Sequence, residues 1–364
     1  MNSRQQTSSS LVHIVFIVLF IILCLIPSLG MFFVAQEQAS ANEILALPPS
    51  FTAADGSFNS HVLRDTSDYV ADRFTFRKNL VNAWSVLNAA VFRTSAEKQV
   101  VLGQDGWLYY EPTLNDYMGQ SMSDAELDRA AQALSALQQA AEEKGACFVF
   151  TIAPNKNSLY GGKMPSFIPS AHDSSNVARL RPYLERYGVR YVDLFSVFSS
   201  EEETLYYRTD SHWTDRGAAL AADVLLSAME KDSAYFDGPF SSGDGHLGDL
   251  YEMLYPTGGY RETSDIYLPG FSYTLDGDPK GGNALKIRTN CAGRSGRLLC
   301  WRDSFGISLY PYLSDSFEEA IFLRSAQYDP EQISSFGADY VLLEIVERNL
   351  VQLAALDPVT PGIS

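Results

Sequence analysis

Charge is missing from one long stretch of this chain, and basic charge is scarce throughout. From Gln5 to Gln36 there is no Asp, Glu, Lys or Arg, and within it Leu11 to Ala35 is almost wholly apolar, broken by His13 and Ser28. A bilayer core takes about 20 apolar residues as a helix, so the run predicts one N-terminal transmembrane anchor within residues 1–35. Arg4 precedes it and Glu37 and Glu43 follow, which keeps the amino terminus in the cytoplasm and exports the rest as a single-pass protein of the cell membrane. A cleaved signal is the alternative, with Ala39-Ser40-Ala41 at cleavage spacing; the run exceeds the roughly 7–15 apolar residues of a signal core. Overall, 27 Lys and Arg stand against 44 Asp and Glu, a net charge of −17. Nucleic-acid binding needs clustered cations, so that class is excluded.

Cysteine is scarce too. Four residues make no disulfide framework. Cys24 lies in the apolar run, and Cys147 and Cys300 sit in strand-like runs as buried small hydrophobes. Cys291 could pair with Cys300 across the Gly293–Gly296 turn. No Cys/His spacing resembles a zinc site, and neither metal nor cofactor is expected. His61 and His172 lie in polar segments and read as surface residues.

What is present is an α/β pattern. Residues 36–60, with Pro48-Pro49, read as a linker. Residues 61–95 predict helices with Phe74, Phe76, Leu80, Trp84 and Leu87 on one face. Gly103-Gln104-Asp105-Gly106 between apolar runs predicts a hairpin. Ser123 and Glu126 form a capping-box pattern ahead of a helix that Lys144-Gly145 ends. Helices follow at 176–187, 215–231 and 332–336. Strands are expected at 146–153, 189–194, 298–301, 320–323 and 340–346. Alternation of this kind implies a mostly parallel sheet covered on both faces. Residues 234–290 lose helical periodicity and read as an irregular or β-rich insertion in a domain spanning 61–364.

Two strings carry the chemistry. Asp210-Ser211-His212-Trp213-Thr214 sets a carboxylate and an imidazole two residues apart before a helix, with Thr214 as its cap. Arg302-Asp303-Ser304-Phe305-Gly306 sets a serine just past a strand, where α/β sheets bind ligands. Ser304 as nucleophile, His212 as base and Asp210 as orienting acid are the parts of an acyl-transfer triad. His246 is the fallback base, and otherwise a surface residue. The Ser304 N–H, with Asn155, would form an oxyanion hole. Lys156 and Tyr160 could reach the sheet end or merely be solvated. Trp213 could pack or offer a sugar platform, and Trp107, Tyr109 and Tyr110 could do either as well. Arg302 and Asp303 could pin the nucleophile turn through a salt bridge, with Arg302 also a substrate-contact candidate.

These strings resemble a known family. Asp210 to Thr214 is similar to the Asp-x-His-Trp signature of the DHHW proteins and the related AlgX/AlgJ alginate O-acetyltransferases. Asp72-Arg73-Phe74-Thr75-Phe76-Arg77, the hairpin Gly103–Tyr109, and Arg302–Gly306 with Pro311-Tyr312-Leu313 resemble further family segments in the same order. The likeness spans roughly residues 60–350. The family pattern has a second His where this chain has Ser211. The resemblance implies an SGNH-hydrolase-like three-layer α/β/α fold with permuted motif order, and the roles given above for Ser304, His212 and Asp210. It implies an extracytoplasmic O-acetyltransferase acting on a cell-surface or secreted polysaccharide, with a membrane-bound O-acyltransferase (MBOAT) protein as acetyl donor. A carbohydrate acetyl esterase with the same triad, or a non-catalytic envelope scaffold, is the alternative. The carbohydrate-binding module of some relatives has no room here.

Overall fold

The computed structural model describes residues 2–31, 33–34, 45–53, 55–119, 122–171, 174–277, 284–325 and 327–356; in the first helix, side chains are described from residue 12 onward, residue 28 excepted. The chain divides into two compact units, residues 1–92 with 254–258, and residues 93–253 with 259–364.

The first unit holds the helices Asn2–Gly30, Val62–Arg73 and Arg77–Leu87. The expected transmembrane anchor needs correcting. Among the described residues no helix is long and apolar enough to cross a membrane. Residues 36–44, including Ala39-Ser40-Ala41, lie outside the described residues, as does His172. The predicted helical stretch after residue 61 is two helices because Phe76 adopts a left-handed backbone, φ 68°. Leu80, Trp84 and Leu87, read as an apolar packing face, are exposed.

The second unit is built on a seven-stranded sheet. In chain order, β1 (Val100–Leu102) and β2 (Leu108–Tyr110) form the predicted hairpin, turned at Asp105 and Gly106, both at positive φ. The sheet strands are β3 (Cys147–Ala153), β4 (Tyr191–Val192), then, after the small pair β5 (Phe240–Ser242) and β6 (Asp265–Tyr267), β7 (Thr274–Leu275), β8 (Lys286–Asn290), β9 (Arg297–Arg302), β10 (Glu319–Arg324) and β11 (Tyr340–Val346). Their order is β4-β3-β11-β9-β10-β8-β7. The first five run parallel, and β8 and β7 are added antiparallel at one edge. The end of the predicted insertion is therefore sheet: β8 pairs residue for residue with β10. Only Tyr191–Val192 of the predicted strand 189–194 pairs, because Asp193 turns to cap the helix Leu194–Ser200.

Strand side chains alternate between faces, and this splits the core in two. Val149, Leu342, Cys300 and Phe322 pack on one face with the helices Asp215–Ala228 and Gly306–Ser314; Phe148, Val341, Trp301 and Ile321 pack on the other with Asp124–Glu142 and Asn176–Arg186. The result is a three-layer α/β/α unit with a mixed sheet. The helix Asp124–Glu142 begins with the expected capping box between Ser123 and Glu126. Cys291 and Cys300 are not bridged, and Cys147 is only partly buried. Trp107 and Tyr109 are buried hairpin core packed with Met164.

Candidate active site

Parallel strands β3, β11 and β9 end at the same edge of the sheet, and the chemistry gathers there. Ser304 follows β9 in a tight turn. Asp303 braces this turn by accepting from the Phe305 N–H at 2.9 Å and the Val346 N–H at 2.5 Å. The Ile307 N–H closes the first helical turn on the Ser304 carbonyl. Gly306 is required here, since a Cβ would lie 2.5 Å from the Arg302 side chain. Among the described residues no hydrogen bond engages the Ser304 N–H.

From the neighbouring segment, His212 Nε2 lies 2.9 Å from Ser304 Oγ, and its Nδ1 lies 2.7 Å from Asp210 Oδ1. With the Nδ1 proton donated to Asp210, Nε2 is free to accept from the serine. The imidazole leans on Phe305, ring centres 4.8 Å apart. Thr214 caps the following helix as expected, accepting from the Gly217 N–H.

Asp210 serves more than one imidazole. Its Oδ1 also accepts from the His212 N–H, while Oδ2 accepts from His246 Nε2 at 2.7 Å and from the Asp249 N–H at 2.9 Å. Burial works against this carboxylate, but hydrogen bonds and charge from both imidazoles outweigh it and hold its pKa well below the usual range. His212 moves the other way: burial lowers it, yet Asp210 and Asp249 prevail and raise it above 6.5. Asp249 receives the Ser211 N–H and hydroxyl at 2.7 and 2.6 Å. Burial and the nearby Asp210 push the Asp249 carboxyl up. Asp210, His212 and Asp249 cluster tightly enough to hold a cation, but each already has protein partners.

His246 is half-buried, its side chain 33% exposed, and it is engaged at the site. It reaches Asp210, and its ring stacks on Tyr207 at 4.0 Å. The insertion delivers it by a two-way backbone bridge between His246 and Glu262, whose carboxylate in turn accepts from the Arg208 and Thr209 N–H groups. Gly248 permits this approach, because a Cβ would meet the Thr209 carbonyl oxygen at 2.2 Å. Nothing in the local sequence around His246, Asp249 or Glu262 announces these contacts, which span 36 to 54 residues.

Four residues read as substrate contacts are buried: Asn155 at 1%, Lys156 at 4%, Trp213 at 1% and Arg302 at 2% exposure. Each also has a partner within the protein. The Asn155 backbone N–H donates to Glu347 at 2.8 Å, while its side-chain Oδ1 has no hydrogen-bond partner among the described residues. Lys156 Nζ donates to the carbonyls of Tyr207, Arg208 and Asp210 and lies over the Trp107 and Tyr109 rings. Burial pulls the Lys156 ammonium down to about 8. Trp213 packs between Phe198 and Phe305. Arg302 donates to the carbonyls of Asp303 and Ala284, so the turn is pinned through backbone rather than by an Arg302–Asp303 salt bridge. Tyr160 is also structural, its hydroxyl accepting from the Leu205 N–H. Arg348, unremarked in the sequence, lies over Phe305 and Tyr110.

Comparison with known proteins bears on this geometry. Residues 100–245 match the family model described as "SGNH hydrolase-like domain, acetyltransferase AlgX". The resemblance to AlgX and AlgJ proteins is real. The chain is 26% identical over 160 residues to the probable alginate O-acetylase AlgJ of Pseudomonas syringae pv. tomato, covering 43% of this chain and 40% of that protein. It is 25% identical over 221 residues to the AlgJ of Pseudomonas aeruginosa, covering 57% and 54%. The chain therefore spans about half the length of these curated relatives. Among solved structures, Bacillus cereus PatB1 superposes with a TM-score of 0.56 at 19% identity, over 69% of this chain and 96% of that one, which shows a shared fold.

Proposed function

We propose that this protein is an O-acetyltransferase that moves an acetyl group to a hydroxyl of a polysaccharide through an acyl-Ser304 intermediate. The observation that carries this reading is the unbroken hydrogen-bond chain from Ser304 Oγ through His212 to Asp210. The likeness to AlgX and AlgJ proteins supports it.

In the first half, His212 Nε2 takes the Ser304 proton as Oγ attacks the acetyl carbonyl of the donor. Asp210 stabilises the imidazolium, and the departing group receives the proton. The Ser304 N–H would donate to the oxyanion. In the second half, His212 deprotonates a sugar hydroxyl, which attacks the acetyl carbon, and the proton returns to Ser304 Oγ. The resemblance points to an MBOAT protein as donor and to a place outside the cytoplasm, where a secreted polysaccharide would be met.

The test is intact mass spectrometry of the protein given an activated acetyl ester. An acetyl adduct absent from Ser304→Ala, and discharged faster to an oligosaccharide than to water, is expected. Equal discharge to water would make the protein an esterase. No adduct from folded protein across several donors would leave a scaffold.

A further inference from the structure

The helix Gly306–Ser314, which starts two residues after Ser304, shares a cavity of about 580 Å³ with the insertion. Small-molecule sites are typically about 300–1,000 Å³. One wall is aromatic. Tyr267 and Phe271 stack at 5.5 Å, and Phe271 meets Tyr312 edge-on at 5.1 Å, with Tyr310 alongside in the lining. The lining also carries two carboxylates, Asp215 and Asp265. Among the described residues the Asp215 carboxylate has only a long hydrogen bond, from the Tyr207 hydroxyl at 3.4 Å. The Asp265 carboxylate forms no hydrogen bond or ion pair among the described residues. Arg216, the cation acting on Asp265, is engaged by Glu203 at 2.8 Å.

The cavity is continuous in chain with both halves of the candidate active site. Ile307 and Ser308 in its lining belong to the helical turn that closes on Ser304. Asp215 lies three residues after His212, and Tyr207, which touches Asp215, stacks on His246.

We infer that this cavity is the acceptor subsite and that it takes a sugar ring without a carboxylate, uncharged or amino-bearing, rather than a uronate. The inference rests on the acetyltransferase reading. Flat rings suit the C–H faces of a pyranose, and under-used carboxylates suit hydroxyl or ammonium donors. A uronate would bring a third negative charge to two carboxylates whose nearby cations, His246 and Arg216, are paired elsewhere, with Asp210 and Glu203, on a chain of net charge −17. Burial raises both carboxyls, in keeping with acceptors short of donors. This would separate the chain from relatives named for alginate, a uronate polymer.

The experiment is calorimetric titration of the full chain, at low salt, with three oligosaccharides of equal length: a neutral β-1,4-glucan, its 2-amino counterpart, and a mannuronate. Binding of the first two at least tenfold tighter than the mannuronate is expected. Tyr310→Ala should weaken the neutral ligand about tenfold, with Tyr310→Phe retaining most of the affinity, and Asp265→Asn should narrow the gap between neutral and anionic ligands. Mannuronate binding as tight as the glucan, no binding of any oligomer, or affinities indifferent to these substitutions would overturn the subsite. Acetylation of Ser304 by a small activated ester, read separately on the wild-type chain, reports the triad. Binding failure with acetylation intact removes the subsite alone, whereas absent acetylation with selective binding removes the proposed reaction alone.

Discussion

The two segments that meet at the His212–Ser304 hydrogen bond are held by opposite chemistry. Residues 207–212 hang on a buried cation: Lys156 donates into three of their carbonyls. The Ser304 turn hangs on a half-buried carboxyl: Asp303 accepts two backbone N–H groups, with Arg302 tying its carbonyl. Lys156 itself stands between Asn155 and Ser158, which both bond the Glu347 carboxyl. The base segment therefore depends on a cation backed by the Glu347 carboxyl, and the nucleophile turn on Asp303 backed by the Glu344 carboxyl, which accepts from the Asp303 N–H at 3.1 Å. Burial raises both of these backing carboxyls.

The largest expected effect breaks the junction itself. His212→Ala should slow acetylation of Ser304 by roughly 10³-fold or more, the scale seen when a triad loses its base; adduct formation followed by mass checks it. Next comes the cation. Lys156→Met leaves three carbonyls without their donor and should cost about 3 kcal/mol of stability, measured by denaturant unfolding. Asp303→Asn should cost about 1–3 kcal/mol, because an amide cannot accept at both positions. If the two substitutions proved equal in stability and in acetylation rate, the contrast between the segments would fail.

The carboxyl behind Lys156 can be read directly. Burial, with Asp116 nearby, pushes Glu347 up to about 8 from an ordinary 4.5. The folded state then holds a proton that the unfolded state releases, so stability should fall as pH rises from about 4.5 to 8. Glu347→Gln should flatten that fall, by on the order of 1 kcal/mol per pH unit. The smallest effect concerns the base. His212 accepts the serine proton only when neutral, so acetylation should rise with pH through a pKa above 6.5. Asp249 helps raise that pKa; Asp249→Asn should move the rise to lower pH by roughly half to one unit. A rise unmoved by the substitution would mean that Asp249 acts only through the Ser211 backbone.

The parts of the fold that depend on local pattern were legible in sequence. The Ser123 capping box, the strand 340–346 and the Thr214 cap each follow from residues within a few positions of one another. So did the meeting of Ser304, His212 and Asp210, because two short strings placed them at strand and helix ends. The surroundings were not legible. His246, Asp249 and Glu262 come from a segment whose Gly- and Tyr-rich composition carries no period, and their partners lie 36 or more residues away. Locally, Lys156 reads as a cation near the sheet end and Arg302 as a partner for Asp303 or substrate. Only the carbonyls they meet, 52 and 18 residues distant, show why burying them is tolerable.

β11 lies between β3 and β9, and its end touches both halves of the pair: Val346 holds Asp303, and Glu347 holds Asn155 and Ser158. Yet it follows both halves in the chain. During synthesis, a nascent polypeptide carrying both His212 and Ser304 has no strand to set the interval between them until residues 340–347 emerge. A chain cut short before residue 340 would carry both His212 and Ser304 but lack the Val346 N–H that Asp303 accepts and the Glu347 carboxyl that Asn155 and Ser158 meet.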